Sequence, residues 1–317
     1  MQNIPSGAKN STAKIPYRQR SGKPLNTKML LLTSLLLVFF ASLLFSDAVS
    51  TAAGNAWSGG FSCWKKGDAA GALKGWSAAP LLTPFAKRFN KLSYWRVKAL
   101  ERLGRDSEAK AQASLMALRA PLDFYTFALY YEKRYPAMNR LVDEALANTD
   151  YLRKWRSEVE KASAATGVEK NILWGLIRQE SKFRENAVSR SGAVGLMQLM
   201  PLTARETAAR LKDERLTPYL PTHNIMLGAA HFAHLLKCFG GSVPLAVCAY
   251  NAGAGSVSKW KKHKTASWVE WLEEIPYPQT REYLRCVLEN IEVYSGKSQH
   301  RGKGSFFSWA NTPPVFR

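Results

Sequence analysis

Acid is what this 317-residue sequence has least of: 24 Asp and Glu stand against 45 Lys and Arg, a formal charge of +21. The first 28 residues carry none at all. Such an excess draws polyanions over roughly a Debye length, so nucleic acid, anionic phospholipid and anionic wall polymer are the partners to weigh. The basic residues are scattered and no nucleic-acid-binding motif organises them, so a nucleic-acid partner is not expected. Cysteine is also sparse. The four, at positions 63, 238, 248 and 286, contain no paired CxxC and give no metal-ligand pattern. Cys238 and Cys248 are the nearest pair for a disulfide in an oxidising compartment, a question spacing leaves open. His231, His234 and Cys238 share a helical stretch, but no fourth ligand stands at metal-site spacing, and they read as ordinary helix residues. Neither Gly nor Pro is abundant enough for global disorder. A chain of this length can hold one sizeable domain and a smaller one.

What is present begins with an address. Lys9, Lys14, Arg18, Arg20, Lys23 and Lys28 lie in a Ser-, Asn-, Gly- and Pro-containing leader over 1–28. An apolar run from Met29 to Phe45 follows, broken only by Thr33, Ser34 and Ser42. As a helix it spans about 26 Å, slightly short of a hydrocarbon core. Positive charge before it and Asp47 after it predict a cytoplasmic N-terminus and export of the remainder. The leader and the run are long for a signal peptide, so 29–46 reads as a signal-anchor in the inner membrane. The alternative is a signal peptide cleaved near Ala48–Ala53. Either places the remainder in the periplasm.

The exported part reads as mainly α. Residues 47–62 are small and polar and are expected to be a linker. From 63 to 155 apolar residues recur at three and four positions. Tyr94 to Gly104, a glycine stop, and then Asp106-Ser107-Glu108-Ala109-Lys110-Ala111 predict a helical hairpin of the solenoid kind, with an ordinary helical bundle as the alternative. A second helical unit covers 156–298, with Gly-rich interruptions at Ser189–Gly195 and Asn251–Gly255. A basic, aromatic tail occupies 299–317.

One carboxylate stands out by position. Leu173, Leu176, Ile177 and Glu180 fall on one helix face, so Glu180 extends an apolar stripe. Desolvation there raises a carboxyl pKa, and a carboxyl protonated near neutral pH can donate to a leaving oxygen. An apolar face also often ends in a solvated Glu, so this pattern alone is a modest argument.

The surrounding blocks carry more. Glu180-Ser181 is followed by Gly192-Ala193-Val194-Gly195-Leu196-Met197-Gln198-Leu199-Met200-Pro201. Then come Ala249-Tyr250-Asn251-Ala252-Gly253-Ala254-Gly255 and Ile275-Pro276-Tyr277-Pro278-Gln279-Thr280-Arg281-Glu282-Tyr283. In that order and spacing, over about 165–295, they resemble the catalytic domain of the soluble lytic transglycosylase family, which has a lysozyme-like fold. The helical stretch with Tyr94-Trp95-Arg96 and Phe124-Tyr125 is similar, more weakly, to the superhelical region preceding that domain in larger members.

The resemblance implies that Glu180 is the single catalytic carboxylate, acting on peptidoglycan glycan strands. As acid it would protonate the oxygen between N-acetylmuramic acid and N-acetylglucosamine. As base it would then take the proton of the muramoyl 6-hydroxyl as a 1,6-anhydro ring closes. The usual glycosidase divides this work between two carboxylates and water. No second carboxylate is evident in these blocks, although Glu185 is close in sequence.

The resemblance also implies a substrate-binding role for Ser189, Gln198, Met200, Tyr250, Asn251 and Gln279. Gly192 and Gly195 would let backbone turn tightly and approach sugar. Met197 and Met200 are expected beneath the cleft as packing, with Met200 able to touch sugar. Tyr250 is expected to orient Glu180 or to contact an intermediate, and Asn251 to bind an N-acetyl group or to cap a turn. Trp260, Trp268 and Trp271 read equally as sugar platforms or core. Gln279 departs from the family, most of whose members carry glutamate there. Glu273 and Glu274 read as solvated helix residues. No metal and no organic cofactor is implied.

Overall fold

Residues 54–77, 87–260, 265–296, 305–308 and 310–315 are described in the computed structural model of the chain. Helices run in order as α1 (54–65), α2 (Ala69–Ser77), α3 (Lys87–Arg102), α4 (Asp106–Arg119), α5 (Phe124–Tyr130), α6 (Pro136–Asn148) and α7 (Arg156–Thr166). They continue as α8 (Lys170–Ser181), α9 (Pro201–Leu211), α10 (Pro221–Cys238), α11 (Val243–Ala252), α12 (Ala254–Trp260), α13 (Trp268–Glu274) and α14 (Pro278–Ser295). Isolated bridges Val188–Val194 and Val194–Leu199 are the extended pairing among the described residues. The architecture is mainly α, as the periodicity predicts. The leader and the apolar run at 29–46 lie outside the described residues. Among those described, no single helix is long and apolar enough to cross a membrane.

The marked hairpin is α3 and α4. Gly104 between them has φ +68°, a conformation glycine reaches without steric cost. Asp106 and Glu108 then sit in the first turn of α4, where the helix dipole favours acid. The structure differs from the linker expectation over 54–62, and aromatic burial is the reason. Trp57 and Phe61 on α1 stack with ring centroids 4.7 Å apart. They meet Trp76 and Trp95, both nearly fully buried. Small residues around them let the backbones close up: a Cβ on Gly75 would lie 3.1 Å from Gly60. The small residues of that stretch thus mark close helix contact.

The helical region and the second unit share one apolar core, running from Trp64 to Ala310. Polar pairs bind the seam. Glu273, expected to be solvated, is 4% exposed. Its carboxylate takes Lys91 at 2.6 Å and the Tyr125 hydroxyl, and these donors stand in for lost water. Glu289 on α14 accepts the Phe124 N–H, and Asp123 accepts that of Tyr125, so two regions jointly cap α5. Burial, then the neighbouring Asp123 charge, pushes the Glu289 carboxyl up. In the tail, Phe306 and Phe307 are buried against Phe124 and Phe127. Trp260, Trp268 and Trp271 are all buried, which decides for core.

The contact that positions the site is α8 against α14. Gly175 permits it: a Cβ there would lie 2.8 Å from the Ile291 side chain and 3.2 Å from its backbone nitrogen. Asn290 Nδ2 donates across the crossing to the Gly175 carbonyl. We expect Gly175→Val to destabilise the protein by about 1–3 kcal/mol through overpacking. Urea unfolding checks this, and an unchanged midpoint would contradict the crossing described.

Candidate active site

Glu180 lies in the last turn of α8, with Leu173, Leu176 and Ile177 of the same face fully buried behind it. Its side chain, part-exposed, emerges into a cleft of about 900 Å³. Lys154, Trp155, Phe183, Arg184, Glu185, Ser189 and Gln198 are among the residues lining the cleft with it. Burial pushes the carboxyl up to about 7, against the pull of the Tyr283 hydroxyl, which donates to Oε1 at 2.5 Å. A carboxyl so placed is part-protonated at neutral pH and can both give and take a proton.

Tyr283 is the residue whose role the sequence did not show. It sits inside the fourth block, and nothing local marks it. Only the α8–α14 crossing brings it to Glu180. Burial, followed by the Glu180 charge, holds its phenol well above the ordinary range, so it remains a donor. Tyr250, expected in that role, turns elsewhere. Its hydroxyl donates to the Met197 carbonyl at 2.8 Å and its ring packs on His231. It still lies close enough for the Glu180 charge to help raise its own pKa, behind burial.

The Gly192–Met200 segment is built as a rigid wall. Asn224, fully buried on α10, accepts the Met197 N–H at 2.8 Å through Oδ1. Its Nδ2 donates to the Val194 and Pro218 carbonyls. Gly195, at φ +77°, leaves room for it: a Cβ there would stand 2.3 Å from Asn224 Nδ2. Gln198 lines the cleft, but its amide donates to the Ala187 and Gly195 carbonyls, holding the loop. Ser189 also lines it, with Oγ accepting the Ala193 N–H at 2.9 Å. Met197 is the packing methionine, fully buried against Gly228. Met200 differs from the expectation of a place beneath the cleft: it precedes α9 and is 43% exposed. Asn251 Oδ1 accepts the Thr280 hydroxyl at 2.9 Å, which ties α11 to α14. Gln279 is exposed in the first turn of α14. The structure therefore brings Glu180, Ser189 and Gln198 to one cleft, with Tyr250 behind them; Met200, Asn251 and Gln279 are not among its lining residues.

Left-handed backbone concentrates here. Trp155, Phe183 and Gln198, all lining the cleft, have φ of 57°, 63° and 47°, and Lys182 adjoins them at 52°. Strain of this kind persists only where the surroundings over-determine it.

Elsewhere, none of the four cysteines forms a disulfide, and Cys238 lies 3.6 Å from His234 Nε2. Burial pushes His231 down to about 4. Among the described residues no group of three His, Cys, Asp or Glu could hold a metal.

This geometry coincides with a family match. Residues 157–268 fit the family model described as the transglycosylase SLT domain. That segment is similar to a transglycosylase SLT domain. Beyond it, the chain is 34% identical over 133 residues to the soluble lytic murein transglycosylase of Salmonella typhimurium, covering 40% of this chain and 21% of that one. It is 29% identical over 174 residues to the Escherichia coli K12 protein of the same name, covering 52% and 24%. The chain spans less than half the length of the curated relatives it matches. Among solved structures, an inactive mutant of the lytic transglycosylase Slt from Pseudomonas aeruginosa superposes with a TM-score of 0.59 at 23% identity. That superposition covers 74% of this chain and 50% of that one, extends well outside the SLT domain, and shows a shared fold.

Two outcomes test the site. Tyr283→Phe removes a hydrogen bond to the carboxylate, so the Glu180 pKa rises above its value near 7; NMR titration of that carboxyl reads the direction. The native carboxyl also holds its proton more tightly than the ordinary value of 4.5. Its contribution to stability is thus full below about pH 4.5 and is lost as pH rises through 7, by roughly 1–3 kcal/mol. Glu180→Gln flattens that part of the stability–pH curve; an unaltered slope would show that Glu180 is not desolvated.

Proposed function

We propose that this chain is a peptidoglycan lytic transglycosylase with Glu180 as its sole acid/base. The observation that supports this is a half-buried carboxyl, pushed up to about 7 by burial, in a cleft of the segment that matches the SLT domain. In the first step the protonated carboxyl donates to the glycosidic oxygen between N-acetylmuramic acid and N-acetylglucosamine, and the C1–O bond breaks. In the second step the carboxylate accepts the proton of the muramoyl 6-hydroxyl, whose oxygen bonds C1 as the 1,6-anhydro ring. The substrate supplies the nucleophile, the carboxyl is regenerated protonated, and no water is consumed. Tyr283, donating to Oε1, holds the carboxyl in one rotamer through both steps and stabilises its anionic form between them.

Ser189 and Gln198 line the strand-binding cleft, while Tyr250 and Asn251 support it from behind through Met197 and Thr280. Met200 and Gln279, both exposed, are proposed to touch the strand beyond the cleft. The reading places the domain in the periplasm, anchored in the inner membrane by 29–46, with a cleaved signal peptide as the alternative. Glycan strands are the partner. No cofactor enters this chemistry.

A hydrolytic muramidase is the second reading, because Glu185 lines the same cleft and is exposed, where it could activate water. Mass spectrometry of digested sacculi separates the two. Anhydro ends are expected from wild type and from Glu185→Ala; reducing ends that vanish in Glu185→Ala would establish the hydrolase. Glu180→Gln is expected to lower cleavage by at least about 10³-fold while glycan binding survives. Because the acid must start protonated, kcat/KM is expected to fall as pH rises above about 7.

A further inference from the structure

We infer that Trp155 is a sugar-stacking platform of the cleft, a binding residue contributed from outside the matched SLT segment. The inference rests on the glycan-cleaving reading above. Trp155 immediately precedes α7, lines the same cleft as Glu180, and lies ahead of the first residue of the family match, 157. Its backbone is left-handed, at φ 57° and ψ 37°, an outlier for so bulky a residue. The neighbours impose that turn. Leu152 O accepts the Tyr294 hydroxyl, Arg153 donates to Tyr294 O, and Lys154 O accepts the Trp174 indole N–H at 3.1 Å. Three successive residues are therefore bolted to α8 and α14 before the chain reaches Trp155.

The ring is half-buried, resting on the core with one part open to the cleft. Every other described tryptophan spends its ring on an aromatic neighbour: Trp57, Trp64, Trp76 and Trp95 in one cluster, Trp174 on Tyr294, Trp260 on Tyr277, Trp268 on Trp271. Among the described residues no aromatic ring is recorded on Trp155. An indole held in a costly conformation, without an aromatic partner, beside a catalytic carboxyl, suits the C–H face of a pyranose ring. Its fixed turn sets the ring in place before substrate arrives, so little ordering entropy is lost on binding.

The test uses the full chain carrying Glu180→Gln, titrated with peptide-free glycan oligomers prepared from peptidoglycan. Binding should quench or blue-shift tryptophan emission, and Trp155→Phe should remove most of that signal. Trp155→Leu keeps apolar bulk without a π face and is expected to raise Kd by about fivefold or more, whereas Trp155→Phe recovers most of the affinity. Circular dichroism verifies folding of each variant, and Trp155→Gly, which relieves the left-handed strain, serves if Leu does not fold. In the active background KM should rise more than kcat falls. Oligomers that bind with Kd unchanged within twofold in Trp155→Leu and Trp155→Gly overturn the platform alone. Oligomers that fail to bind the Glu180→Gln parent overturn both the platform and the function proposed for the cleft.

Discussion

The close crossing of α8 and α14 is the constraint on which the site depends. A glycine at 175 lets the Ile291 segment approach until no Cβ would fit between. That approach sets the Tyr283 hydroxyl against Glu180 and seals the apolar side of the carboxyl. The raised pKa is a product of this geometry: burial raises it and the tyrosine moderates it. Further from the crossing, α14 also carries Glu289, which caps α5. One helix thus connects Glu180, its hydrogen-bond donor and the preceding helical region.

The walls of the cleft show a second economy of design. Residues that look like sugar ligands in sequence are engaged within the protein: Gln198 with two backbone carbonyls, Ser189 with a backbone amide, Asn251 with the Thr280 hydroxyl. Loops that line an open cleft have few apolar contacts to hold them, and side-chain to backbone bonds replace that missing core. For the function proposed, rigidity matters because a proton would move between fixed atoms, and misplacing a reacting group by an ångström costs orders of magnitude in rate. Left-handed backbone at Trp155, Phe183 and Gln198 belongs to the same scheme.

Much of this was legible in the sequence for definite reasons. Periodicity marked the helices because each buries one stripe, and the Gly104 stop marked the α3–α4 hairpin. Glu180 and its four blocks were legible because their chemistry is local: glycines where the backbone turns, a carboxylate at the end of an apolar face. Less visible was anything set by a distant partner. Residues 54–62 looked like linker because their small residues hide an aromatic contact with Trp76 and Trp95. Glu273 looked solvated because Lys91 and Tyr125, its compensating donors, lie far away in the chain.

By itself, then, the sequence determined a mainly α architecture, Glu180 on its apolar stripe, and the order of the blocks around it. These follow from residue type and spacing, which act over one or two turns. The tertiary structure alone decided that Tyr283, rather than Tyr250, bonds the Glu180 carboxyl, that Met200 faces outward, and that Trp155 joins the cleft. Each depends on how two helices cross or how a turn is pinned from three sides. Such placements arise from close packing and hydrogen-bond satisfaction between segments up to a hundred residues or more apart, and no local pattern encodes them.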